Sequence, residues 1–405
     1  MVPVSIIQKE VPESPELYSS KSILVIQDML METFMNLGGF HEVVGRPKSV
    51  IIKPNLVEVP FHTTGGSVLT DPRVLVALIH LLKDHGVADI IVAEGKSVNL
   101  KHIHSSAIDA FNKSGIGHAV RKAGGRLVGW DEEPFVDVPL PDGEVLASVK
   151  VPKSILDSEY FINVPKLKTH CQTEVTLAIK SMQGVFGVDD KILLHNEAFP
   201  WKMMDMLKAA LPDLNIVDGI ICGEGYGPIY TEPVKLNVIV GSKDVVATDA
   251  VCGKLMDIDP IEVPITRLAM VQGIGEGELS KIEIIGDSIE KVAKRFKRAN
   301  LWNPIGLHKH IKVFAGCACR FELAQIGAAV RRLELDRKLH LLNQDVCLIV
   351  GSKAPVPVKN YENVVIVGDD AMDHPWYGKF QFIPGCPPLP SVQIVHAIEQ
   401  YLDKN

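Results

Sequence analysis

The sequence predicts an α/β protein, with a large domain built on a doubly wound, mostly parallel sheet and a second, smaller α/β domain. Apolar runs of strand length alternate with amphipathic runs of helix length along most of the 405 residues, the rhythm of βα units. That alternation breaks at a stretch containing Pro304 and Gly306 and then starts again. With 46% hydrophobic and 22% charged residues, the chain has enough apolar material for two cores.

In chain order, SVIIKPNLVE (49–58) reads as a buried strand and TDPRVLVALIHLLKDHG (70–86) as a helix. Thr70 or Asp71 caps that helix, Pro72 lies in its first turn and Gly86 ends it. The strand DIIVAEG (89–95) follows, then a helical stretch near 105–123, a strand near 126–130, a β excursion around 135–152 and the strand YFINVPKLK (160–168). Helices over 175–186 and 200–210, strands at 214–220 and 235–241, and a helix over 244–256 continue a domain spanning 1–300. Residues 301–309 form the expected linker. The second domain, 310–405, reads as strand 310–316, helix 319–337, strands 345–351, 363–369 and 379–385, and helix 391–402, a small flavodoxin-like α/β domain.

The net charge of −7 and pI near 6.1, with Lys and Arg scattered, exclude a nucleic-acid partner. No run of 18 apolar residues exists, so no membrane insertion is expected. The start MVPVSIIQKEVPESPELYSS lacks a basic n-region, an apolar core and a small-residue cleavage site, which predicts a cytoplasmic protein. Seven cysteines in such a chain point to thiols, metal ligation or redox chemistry rather than a disulfide framework.

Ligands of open parallel sheets collect outside the carboxyl ends of the strands. Cys317 and Cys319 directly follow one expected strand and Cys386 follows another, so three soft sulfur ligands reach the same edge. Gly316 and Gly385 beside them leave room for backbone amides to approach a cluster. The competing reading makes these cysteines small buried hydrophobes, which is the reading for Cys347, four residues inside its strand's end. The run PGCPP (384–388) resembles the cluster-binding domain of the small subunit of nickel–iron hydrogenases and its counterpart in respiratory complex I, over about 310–405. That resemblance implies an iron–sulfur cluster, [4Fe–4S] in type, on Cys317, Cys319 and Cys386. Where the family shows a third cysteine, this chain has Gly368-Asp369-Asp370-Ala371. Three readings of the remaining ligand stay open: Asp370 ligates through oxygen, Cys171 or Cys222 reaches over from the large domain, or one iron is left open as a Lewis acid.

In the large domain, NVPKLKTHCQTEVTLAIKSMQGVFG (163–187) places Lys166, Lys168 and His170 at a strand end and Lys180 on a following helix, while Lys53 and Asn55 end another strand. These lysines read either as a solvated rim or, as a set, as a site for a carboxylate or phosphate. Histidine as a residue type titrates near neutrality, so His170, with Lys168 two residues before it, reads as a general acid or base, as a ligand, or equally as neither. Lys53-Pro54-Asn55, the 70–86 helix, Pro165 to His170, Lys180 to Gly184 and VATDAV (246–251) together resemble the DUF362 family over about 20–300. Members look like iron–sulfur-associated proteins, often carrying a CxxCxxCxxxCP module that this chain lacks. A more distant similarity to nickel-pincer lactate racemases transfers no catalytic residue. GEGYG (223–227) and GIGEG (273–277) do not complete a dinucleotide fingerprint; the first reads as a loop over a cleft lined by Asp218, Glu224 and Asp249, each equally readable as a cap or a solvated group.

Together these features predict an iron–sulfur oxidoreductase or electron-transfer protein of an anaerobe. A ferredoxin-like partner supplies electrons, Lys53, Asn55, Lys166 and Lys180 bind a small anionic substrate, Lys168 and His170 act catalytically, and oligomerisation stays open. The alternatives are a non-redox lyase or isomerase using an open iron, and a cluster carrier or maturation factor.

Overall fold

The computed structural model describes residues 1–12, 20–57, 64–96, 106–299, 304–387 and 391–402. Glu58 of the first expected strand, residue 105, positions 301–303 of the expected linker and Pro388 of PGCPP lie outside them. Two compact units emerge: Met1–Leu193 with Pro200–Lys297, and Leu194–Phe199 with Arg298–Asn405. The short segment Leu194–Phe199, which the linear division assigns to the large domain, belongs to the second unit.

The large unit contains β1 (Val2–Gln8), β2 (Ser49–Pro54), β3 (Asp89–Glu94), β4 (Arg126–Gly129), the separate antiparallel pair β5 (Phe135–Pro139) and β6 (Ser148–Pro152), β7 (Phe161–Val164), β8 (Lys166–His170), β9 (Glu174–Thr176), β10 (Leu214–Tyr226), β11 (Tyr230–Ser242) and β12 (Ile282–Gly286). Its ten-stranded sheet runs β12-β1-β11-β10-β7-β2-β3-β4, with β8 on β10 and β9 on β8. From β10 through β7, β2 and β3 to β4 every pairing is parallel, as alternating βα units require. β11 is antiparallel to both β10 and β1. The α/β class is therefore as the sequence predicts. β1, β12 and the helix Ser20–Asn36 are additions to it.

Burial explains the helix positions. Met29, Leu30 and Phe34 of Ser20–Asn36 join Val74, Leu75 and Leu78 of Pro72–Asp84 in one core with Ile52, Val92 and Ile162 from three strands. Asp71 caps the second of these helices by accepting from Arg73 N at 2.9 Å, with proline at its first position. Thr70 serves the preceding loop instead. Its hydroxyl accepts from Asn55 N at 2.7 Å and donates to Val164 O at 2.8 Å, tying the loop to the ends of β2 and β7.

Four expected elements differ. The expected strand 160–168 is two strands, β7 and β8, separated at Pro165, so Lys166, Lys168 and His170 lie in β8. The helical stretch 105–123 is two helices, Ala107–Ser114 and Ile116–Ala123, jointed at Gly115 with φ +85°. The expected helix 175–186 is β9 followed by one turn, Ala178–Ser181, and a 3-10 turn, Met182–Val185. The expected loop Gly223–Gly227 is, as far as Tyr226, the end of the long strand β10. Glycine is needed there for close approach: a Cβ on Gly223 would lie 2.6 Å from Ser67 O.

The small unit has a four-stranded, all-parallel sheet of β13 (Ile311–Ala315), β14 (Val346–Val350), β15 (Asn363–Val367) and β16 (Gln381–Ile383), in sequence order. Helices Arg320–Leu335 and Val392–Glu399 cover it through Ile326, Val330, Leu333, Ile394 and Ile398.

Candidate functional site

β13 ends at Ala315, and the chain passes Gly316 and Cys317 to reach Cys319, the N-cap of the helix Arg320–Leu335. Gly316 is dictated by a neighbour, since a Cβ would lie 2.1 Å from Ser352 O. Cys317 N donates to the same Ser352 oxygen at 2.7 Å, which leaves the exposed thiol fixed at its backbone. Cys319 takes the place that Ser or Thr holds in a capping box: its Sγ accepts from Glu322 N at 3.4 Å, and its own N–H donates to Glu322 Oε2 at 2.9 Å.

The other half of the centre comes from the ends of β15 and β16. Asp369 N donates to Gly385 O at 3.0 Å and Gly385 N donates to Asp369 Oδ1 at 2.8 Å, so the two loops are stitched side by side. Asp370 and Cys386 then face each other, with Cys386 Sγ 3.7 Å from Asp370 Oδ2. One carboxylate oxygen each from Glu322 and Asp370 and the Cys386 sulfur all lie within 4.8 Å of one another. Glu322 is fully buried and its Oε1 has no hydrogen-bond partner among the described residues. Burial first, then the acidic neighbours Asp370 and Asp369, push its carboxyl up to about 7. Burial likewise raises Cys319 to about 11 and Cys386 to about 12, with Asp370 and Glu322 adding to the second. Burial thus disfavours the negative forms of Glu322, Cys319 and Cys386, and a cation beside them would stabilise those forms.

In the large unit, the lysines expected at the strand ends gather at the carboxyl edge of β3, β2 and β7, but they do not form a solvated rim. Lys53, Lys166 and Lys168 are each at most 1% exposed. Lys53 Nζ pairs with Glu94 at 2.7 Å and reaches Ser181 Oγ at 3.2 Å; Lys166 pairs with Asp218 at 2.8 Å, its register partner in β10. Lys168 Nζ donates to Val68 O at 2.8 Å and Pro228 O at 2.9 Å. Asn55 Nδ2 donates to that same Val68 oxygen at 2.8 Å, so Asn55 and Lys168 share an anchor. Lys180 donates to Gln183 Oε1 at 2.6 Å, and Gln183 Nε2 to Lys191 O at 3.1 Å. Lys202 donates to the carbonyls of Asp190, Lys191 and Leu193, at 3.2, 2.8 and 2.5 Å, at the end of the helix Val188–Ile192.

Burial, reinforced by neighbouring ammonium groups, lowers Lys180 and Lys191 to about 8 and Lys202 to about 7, and takes Lys168 well below its ordinary value. His170 is 5% exposed, and its Nδ1 accepts from Gln172 N at 3.1 Å.

The expected acidic cleft lining is corrected by these bonds. Asp218 accepts from Asp71 N and Ile220 N besides Lys166. Buried Asp249 accepts from Ala178 N at 2.6 Å and caps that turn from another helix. Glu224 accepts from Lys297 N at 2.9 Å. Cys171 and Cys222 are both buried, and Cys222 donates to Gly219 O of its own strand. Cys347 is core, as expected.

Sequence reasoning missed Glu322, Glu94, Lys191 and Lys202. Glu322 had a signal in Cys319-Arg320-Phe321-Glu322, a capping-box spacing with sulfur at the cap. Lys191 and Lys202 had none, since tertiary folding alone brings Gln183 and Lys202 together on the Lys191 carbonyl.

The sequence matches the family described as a domain of unknown function (DUF362) over residues 50–254, just over half of the chain. A thylakoid-associated protein of Synechocystis sp. is 27% identical over 258 residues, 61% of this chain and 74% of that protein. Among solved structures, the lactate racemase apoprotein of Thermoanaerobacterium thermosaccharolyticum superposes with a TM-score of 0.37 at 14% identity, over 57% of this chain and 55% of its own. A Thermotoga maritima protein gives 0.35 at 11% identity, over 62% and 61%. The chain thus spans under two thirds of either solved structure. Among the described residues, no helix is long and apolar enough to cross a membrane.

Proposed function

The chain belongs to the DUF362 family, and from that premise we propose that it is a cytoplasmic iron–sulfur protein, an oxidoreductase or electron-transfer protein acting on a small anionic substrate. The observation that carries this reading is the convergence of Cys386, Asp370 and Glu322 at the carboxyl edge of the small parallel sheet, with Cys319 hydrogen-bonded to Glu322 and Cys317 two residues before Cys319. Cys317, Cys319 and Cys386 would hold a cluster of the [4Fe–4S] type, which when bound supplies one-electron chemistry tuned by burial and hydrogen bonding. A ferredoxin-like protein is the proposed electron donor.

The chain's own residues divide the remaining work. The capping box sets the position of the Cys319 sulfur, and the Asp369–Gly385 stitch sets that of Cys386. In the large unit, Lys53, Lys166 and Lys180 keep a positive potential at the strand ends that attracts a small anion. Asn55 holds the Val68 carbonyl that orients Lys168. Lys168 and His170 are the groups assigned to proton transfer, Lys168 because its amine is readily neutral. The oxygen donors Asp370 and Glu322 favour a second reading, a non-redox lyase or isomerase whose centre keeps one incompletely thiolate-ligated iron.

Anaerobic purification with iron and acid-labile sulfide analysis tests the proposal. About four irons and four sulfides per chain, with a paramagnetic signal on reduction, are expected for a cubane cluster. Cys386→Ser should lose them. Retention of full iron and sulfide by that variant would remove Cys386 from the centre, and absence of both from the reconstituted wild type would end the iron–sulfur reading.

A further inference from the structure

We propose that Glu322 is a metal ligand: its Oε1, with the Asp370 carboxylate and the Cys386 sulfur, forms an oxygen-rich corner of the small unit's centre. The inference rests on the reading that this centre takes a metal, and it supplies the ligand that the missing third cysteine leaves open.

Four observations carry it. Glu322 is fully buried, yet only one of its two oxygens is used, Oε2 on the amide of Cys319 at 2.9 Å. Its Oε1 is a buried acceptor with no partner among the described residues, an arrangement that costs stability unless something fills it. A carboxylate oxygen of Glu322 lies within 4.8 Å of ligand atoms of both Asp370 and Cys386, and Oε1 is the Glu322 oxygen not already used on Cys319 N. Room for it is kept by Gly368, where a Cβ would stand 2.4 Å from Oε1 and where φ is +90°.

The geometry also explains why the carboxylate is ready for a ligand. The bond from Cys319 N fixes the rotation of the carboxyl group, so Oε1 is aimed before any cation arrives. Metal ligands held by such outer hydrogen bonds bind more tightly, and here one residue accepts the bond and presents the ligand atom. The class of metal follows from the donors: sulfur with carboxylate oxygen suits iron(II), cobalt(II) or zinc, and not calcium or magnesium.

The test titrates the apo-protein anaerobically with cobalt(II) alone, read from its visible spectrum, and in parallel reconstitutes it with ferrous iron and sulfide. Glu322→Gln keeps the capping-box pattern and the fold, because Gln serves at that position. It is expected to weaken cobalt binding at least about tenfold and to alter the bound-cobalt spectrum. Asp370→Asn, at an exposed position, is expected to act in the same direction with the thermal midpoint unchanged. Cobalt affinity and spectrum equal to wild type in Glu322→Gln would overturn the inference, as would a wild type that binds no metal. Wild type that binds cobalt through Glu322 but takes up no sulfide would sustain the inference while removing the cluster reading.

Discussion

Lys53 and Glu94 in the large unit and Glu322 in the small unit are all buried charged side chains at strand or helix ends, but their surroundings differ. Lys53 meets a carboxylate at 2.7 Å, Lys166 meets another at 2.8 Å, and Lys168 and Lys202 are each held by backbone carbonyls. Glu322 has one oxygen hydrogen-bonded and one left over, beside a second carboxylate and a thiol. The large unit therefore gives Lys53, Lys166, Lys168 and Lys202 partners of its own, so the proposed anion would be drawn by their field and not by an unfilled bond. The small unit leaves acceptors of one sign facing each other, and a pattern of that kind marks a place for a cation. Burial alone does not identify a binding site; the incomplete hydrogen bonding does.

The comparison breaks most directly at the Lys53–Glu94 pair. Glu94→Gln leaves a buried ammonium without its counter-charge and should cost about 3–5 kcal/mol, whereas Lys53→Met with Glu94→Leu should regain most of that. Urea midpoints measure both; a loss below about 1 kcal/mol for Glu94→Gln would mean the network is wetter than its burial indicates.

A smaller effect is expected from pH. Asp249, raised by burial to about 8, keeps its proton in the folded chain over a range where the unfolded carboxyl has lost it, so its contribution falls as pH rises from its ordinary 3.8 to about 8. Lys180, Lys191 and Lys202 are lowered to about 8, 8 and 7 from 10.5, so between those values and 10.5 the unfolded chain binds more protons and stability rises with pH. Their sum predicts a minimum near pH 7 for the ligand-free protein. Denaturant unfolding at three pH values, one below, one at and one above that minimum, would show it, and a monotonic decline through the range would contradict the lysine assignments.

The smallest effect separates two cysteines of the same unit. Cys347→Ala removes only core packing, about 1 kcal/mol, and should leave iron content untouched, in contrast to Cys386→Ser. Loss of iron on changing Cys347 would show that the centre reaches into the sheet.

The parts legible in the sequence were those set by local pattern. Cys317 and Cys386 follow apolar strands, so their place on the carboxyl side of one sheet followed from parallel pairing, while the strand order, which sets β13 and β16 as the two outer strands, was not legible. Lys53 lies near the end of β2 as read, whereas Lys166 and Lys168 lie within β8, and the burial of all three was not legible, because it depends on Glu94 and Asp218 arriving from other strands. Gly223 misled for a different reason: glycine that admits a close backbone neighbour is written with the same letter as glycine that makes a turn. β1 and β12 went unread because each is a short terminal strand outside the βα rhythm, fixed only by pairing to each other and to β11.

The long hairpin of β10 and β11 carries a consequence for how the chain assembles. Its pairings join residues close in sequence, from Tyr226 with Tyr230 out to Asn215 with Ser242, whereas Lys166 must find Asp218 across an intervening stretch of helices. Hairpins form on the order of 1–10 µs, and non-local strand pairing is slower. The ribbon is thus expected to exist before β8 docks on it, acting as the template on which the lysine strand finds its register. Pulse-labelling hydrogen exchange should find the amides of residues 214–242 protected earlier than those of 166–170.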